Sequence, residues 1–89
     1  MKEQNVKIVN KLGLHARPDS LIVQTAMGFS SNIYIIKDEI KVDAKSIMGI
    51  LMLAAACGTE LKLQTEGADE EQALVKMVEI FNNGFGEEI

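Results

Sequence analysis

Between Asn5 and Asn10, Val6 and Ile8 alternate with Lys7 and Val9, and this two-residue period predicts a strand. From Pro18 the rhythm changes. Leu21, Ile22, Thr25, Ala26 and Phe29 recur at helical spacing, with Gly28 as a stop, so a helix of about ten residues is expected. Pro18 suits a first helical turn, where its missing N–H has no partner to lose. "NIYIIKDEIKVD" reads as two strands around a tight turn at Asp38–Glu39. Ser46 is a candidate N-cap for "IMGILMLAAAC", which is apolar all round and is expected to run as one helix to Gly58. "ELKLQTE" alternates most clearly, with Leu61, Leu63 and Thr65 on one face and Lys62, Gln64 and Glu66 on a wet one. After Gly67, Asp69 to Gln72 resembles a capping box. It leads a stripe of Ala73, Leu74, Met77, Val78 and Phe81 that Asn82-Asn83-Gly84 terminates.

The order is therefore β-α-β-β-α-β-α. Four strands with one wet face and three helices predict an α+β fold, a four-stranded antiparallel sheet covered on one side. Residues 1–89 suffice for one domain with one core, and no repeat or linker divides them. No apolar run approaches the ~20 residues of a membrane span, and the first residues lack the apolar region of a secretory signal. The single cysteine, Cys57, cannot staple the chain internally, and a cytoplasmic location is the expectation.

The net charge of −4 is unevenly spread. Residues 1–59 carry seven basic and five acidic side chains, and residues 60–89 carry two and eight. With one Arg, no Trp and no basic cluster, nucleic-acid binding is not expected. The acidic last third reads as a solvated helix face.

"GLHARPDS" holds the chain's only histidine, only arginine and only proline within four positions. His15 falls at or just before the first helix, whose N-terminus offers unpaired N–H donors and partial positive charge. The dipole and Arg17 both oppose a second positive charge there, which favours neutral, nucleophilic imidazole. A phosphoryl dianion taken up by His15 would meet the backbone donors of the Ala16–Arg17–Pro18 turn and a guanidinium with five donors. A lone histidine beside a helix start is, by residue type alone, more often a surface or capping residue. His15 and Cys57 do not make a zinc site, which takes three or four protein ligands, and no second histidine or paired acid supports a hydrolytic triad. No metal or cofactor is expected. A nucleophile beside an anion pocket, without an acid/base pair, suits a phosphoryl carrier better than an enzyme with its own turnover.

"GLHARP" and "KSIMGI", followed in order by "GTELKL" and "GADEEQAL", resemble the HPr family, the histidine-containing phosphocarriers of the phosphoenolpyruvate-dependent phosphotransferase system. The resemblance covers nearly the whole chain and implies an open-faced β-sandwich. It implies that His15 takes a phosphoryl group on Nδ1 from phosphorylated enzyme I and passes it to an enzyme IIA-type acceptor, steadied by Arg17. Ser46 matches the serine modified by HPr kinase/phosphorylase. Ile47 and Met48 match the family's exposed docking patch, where methionine suits a surface that fits several partners. Ser20, Gln24 and Met27 fall where the first helix docks its partners, and Gln24 and Met27 replace basic side chains common there. Asp19 and Ser20 replace small residues such as alanine or threonine. "GILMLAAACGT" is similar to the regulatory, nitrogen-type branch, so sugar uptake and regulation of target proteins are both implied.

Overall fold

The computed structural model describes all residues, Met1–Ile89. The elements are β1 (Lys2–Lys7), α1 (Ala16–Met27), β2 (Asn32–Lys37), β3 (Ile40–Asp43), α2 (Ile47–Leu53), β4 (Glu60–Glu66) and α3 (Glu70–Asn82), then a short 3-10 turn at Gly84–Gly86. This is the β-α-β-β-α-β-α order expected from the residue pattern. The sheet runs β1-β4-β2-β3 and is antiparallel throughout. The period of two sends Ile33, Ile35, Leu61 and Leu63 towards the helices, where they meet Ile22, Ala26, Ile50, Met77 and Phe81 in one core of 18 buried residues. The fold is the open-faced sandwich. No helix is long and apolar enough to cross a membrane.

Gln64, assigned to the wet face with Lys62 and Glu66, is nevertheless buried. Its neighbours across the two flanking strands are Glu3 and Tyr34, and its amide donates to the Glu3 carboxylate at 2.6 Å. Side-chain cover on a central strand has removed it from water.

Two helix termini also differ from expectation. α2 stops at Leu53, well short of Gly58, and Ala54 adopts a left-handed conformation (φ 47°). Beyond it the backbone is engaged elsewhere: Leu14 N–H donates to the Ala55 carbonyl at 2.9 Å, and Lys37 Nζ donates to the Leu53 carbonyl at 2.9 Å. At Asp69 the capping box is absent. Its carboxylate accepts from Ser30 N–H (3.0 Å), Ser31 N–H (2.9 Å) and the Ser31 hydroxyl, tying the start of α3 to the entry of β2. Those hydrogen bonds hold the Asp69 carboxyl down to about 2, led by the one from the Ser31 hydroxyl.

Candidate functional site

α1 begins at Ala16, so His15 is its N-cap residue and Pro18 lies in the first turn. Asp19 N–H donates to the His15 carbonyl at 2.9 Å, the first hydrogen bond of the helix. The His15 side chain makes no capping hydrogen bond, and no backbone bond takes up the N–H groups of Ala16 or Arg17. Two donors and the positive end of the helix thus lie beside a ring that is 37% exposed.

The loop that presents His15 is fixed by Gly13. Its φ is +69°, and a Cβ there would stand 2.7 Å from the Ala55 carbonyl oxygen and 2.9 Å from Ala56 Cα. Only glycine lets the segment after α2 lie this close. The Leu14–Ala55 hydrogen bond then joins the two segments.

The other side of the site comes from the C-terminal tail, which sequence reasoning missed. Both Glu87 carboxylate oxygens lie 2.9 Å from His15 Nε2. Arg17 Nη1 donates to the Phe85 carbonyl at 2.9 Å and to Glu87 Oε2 at 3.2 Å. Asn10, fully buried, donates through Nδ2 to the Gly13 carbonyl at 2.8 Å and to Glu87 Oε1 at 3.0 Å. The hydrogen bond to His15, supported by those from Asn10 and Arg17, keeps the Glu87 carboxyl below its ordinary range. Phe85 anchors the tail: it is buried, packs edge-on against Phe81 at 4.9 Å between centroids, and has a φ of 58°. Lys11 pairs with Glu88 through its backbone N–H (2.9 Å) and its Nζ (3.1 Å). The one local signal was "GFG", a large aromatic between two glycines just after a helix stop.

Asp19 is not the exposed first-turn acid that its position suggests. It is 1% exposed, its Oδ1 has no hydrogen-bond partner, and desolvation raises its pKa against a smaller opposing pull from His15. It shares a stripe with Ile22 and Ala26, three and seven residues on, both fully buried.

The docking candidates divide between two elements. Ser20, Gln24 and Met27, at i, i+4 and i+7, line the exposed side of α1. On α2, Ile47 (40% exposed) and Met48 (69%) are joined by Leu51 and Met52, with α1 and α2 packed together. Ser46 caps α2, its hydroxyl accepting from Gly49 N–H at 3.2 Å.

The family model for the HPr component phosphorylation site of the phosphotransferase system matches residues 2–83. The phosphocarrier protein HPr of Treponema pallidum is 49% identical over 88 residues, 99% of this chain and 100% of that one. HPr-like protein Crh of Bacillus subtilis is 48% identical over 77 residues, 86% of this chain and 91% of Crh. The crystal structure of HPr from Thermoanaerobacter tengcongensis superposes with a TM-score of 0.95 at 53% identity, covering 100% of both chains. A histidine at a helix N-terminus, in a chain matched along nearly its full length, places this protein in the HPr family of phosphotransferase-system phosphocarriers.

Proposed function

We propose that His15 accepts a phosphoryl group from phosphorylated enzyme I and passes it to enzyme IIA-type acceptors. The observation that carries this reading is the position of His15 as an N-cap whose ring makes no cap bond, with the Ala16 and Arg17 N–H groups free. An incoming dianion receives those two donors and the helix dipole. Arg17, with its side chain 60% exposed, is held to the tail through Nη1 and offers its remaining guanidinium donors to the phosphoryl oxygens, for which its planar fork is suited. The carboxylate beside the ring, Glu87, is engaged by His15, Asn10 and Arg17, and in this reading the group stays on the ring until an acceptor takes it.

The exposed apolar residues Ile47, Met48, Leu51 and Met52, together with Ser20, Gln24 and Met27, form the docking face for donor and acceptor. Ser46 stands at its edge. A phosphate placed there by HPr kinase/phosphorylase adds about −1.5 to −2 charge beside the apolar face and weakens docking. Similarity to Crh, the catabolite repression HPr of Bacillus subtilis, supports a second reading, in which the phosphorylation state governs target proteins and little flux reaches sugars.

Incubation with phosphoenolpyruvate and enzyme I is expected to give one acid-labile, alkali-stable phosphate. His15→Ala is expected to remove it and leave the fold intact. An acid-labile phosphate on that variant refutes the assignment, since His15 is the only histidine.

A further inference from the structure

We infer that Glu87 is a positioning residue that sets the tautomer of His15 and thereby selects Nδ1 as the attacking nitrogen; this rests on the carrier reading above. A carboxylate only accepts hydrogen bonds, so at 2.9 Å from both its oxygens Nε2 must carry a proton. In the neutral ring the other nitrogen, Nδ1, then holds the free lone pair. The carboxylate cannot turn away easily. Asn10 Nδ2 holds Oε1 and Arg17 Nη1 holds Oε2, both as donors, and the Asn10 amide is itself oriented by the Gly13 carbonyl. Phe85, buried beneath the tail, fixes where Glu87 begins.

The same contact serves the whole transfer without moving a proton. The Nδ1 lone pair forms the new N–P bond, and the donor's bond to phosphorus breaks with its electron pair left on the donor. The ring now carries a phosphoryl group on Nδ1 and its original proton on Nε2, so it is cationic, and Glu87 faces that charge. When an acceptor attacks phosphorus, the N–P electrons return to Nδ1 and the neutral Nε2–H ring is restored. A buried carboxylate that orients a histidine and stabilises its cation plays this part in acyl transfer as well. Asp19, the other acid near His15, makes no hydrogen bond to the ring and does not set its tautomer.

The test uses the full-length protein with 15N-labelled histidine, as wild type, Glu87→Ala and Glu87→Gln. The glutamine is nearly the same size, but its NH2 group must face a donor, Asn10 or Arg17, whichever way it turns. In alkaline solution the wild-type ring is expected to show protonated Nε2 and bare Nδ1, and both variants a mixture in which Nδ1–H becomes visible. Phosphate uptake from phosphorylated enzyme I should fall by at least about 10–100-fold, the loss typical when a metal-bound histidine is deprived of its orienting partner. Phosphate should also spread from Nδ1 to Nε2. Unchanged tautomers with unchanged uptake in both variants overturn the role of Glu87 and leave the carrier reading intact. Wild-type phosphate on Nε2 overturns it too. A wild-type protein that takes up no phosphate defeats the carrier reading and, with it, the transfer step, even where the ring responds to Glu87.

Discussion

Asp19→Ala removes a carboxyl group that is 1% exposed and has an oxygen with no hydrogen-bond partner. Desolvation raises the folded-state pKa above the ordinary value of 3.8, with His15 pulling weakly the other way. The sign follows from that direction. Below 3.8 the group is protonated folded and unfolded alike, and burial of charge costs nothing. As pH rises towards the elevated folded value, the unfolded chain ionises first and the native state loses stability relative to it. Above that value the penalty is constant. A buried, unpaired polar group costs about 1–3 kcal/mol. Against its removal stands the loss of a first-turn acid that interacts with the helix dipole by about 0.3–1 kcal/mol. Some contacts of the buried side chain go as well, and alanine's better helix propensity returns about half a kcal/mol. The variant is therefore expected to be more stable at pH 7 by roughly 1 kcal/mol, or about 4–8 °C in Tm for a chain of this size.

Calorimetric melts of both proteins at pH 7 and pH 3 check this. The advantage should be present at pH 7 and shrink or vanish at pH 3, where the carboxyl is protonated in both states and only the packing loss, set against alanine's helix propensity, remains. A variant destabilised by the same margin at both pH values would refute the reasoning, since the carboxylate would then be as well satisfied in the fold as in water.

The lifetime of phosphohistidine on Asp19→Ala should lengthen, because a negative charge near the dianion has gone; hydrolysis rates after enzyme I is removed measure it. Asp69→Asn should abolish acid sensitivity in one window. The Asp69 carboxyl, lowered to about 2, contributes stability fully above its ordinary 3.8 and loses it as pH falls through the lowered value, which urea midpoints between pH 5 and 2 would follow. Gly13→Ala should destabilise by more than the roughly 1–2 kcal/mol of a left-handed non-glycine residue, because its Cβ would stand 2.7 Å from the Ala55 oxygen; denaturant titration gives the value. Ser46→Asp should retain the α2 cap and melt close to wild type while taking up phosphate from enzyme I much more slowly, and a large stability loss with unaltered transfer would contradict this.

The elements legible in the sequence were those whose cause is local. Alternation in "ELKLQTE" and the stripe from Ala73 to Phe81 each encode one buried face, and both elements form as expected. Misplaced termini trace to partners far along the chain. α2 ends where Ala55 bonds to Leu14, across some 40 residues, and Asp69 leaves its cap for Ser31, 38 residues away. Neither partner announces itself in a window of helical or strand length.

The candidate site divides in the same way, for a reason that lies in helix geometry. An imidazole, two unpaired N–H groups and a guanidinium come together automatically when His15, Ala16 and Arg17 begin a helix, so "GLHARP" displays them all. A carboxylate to hold the ring cannot come from the same stretch. The only acid nearby is Asp19, and the spacing to Ile22 and Ala26 turns it into the core, a consequence the sequence already contained. Residues on the opposite stripe, Ser20, Gln24 and Met27, are left facing outwards. The carboxylate must then arrive from another part of the chain, at an angle the helix itself does not dictate. Glu87 meets that need, 72 residues from His15, because Phe85 buries itself against Phe81 and the left-handed turn around it directs the last residues back over the helix start.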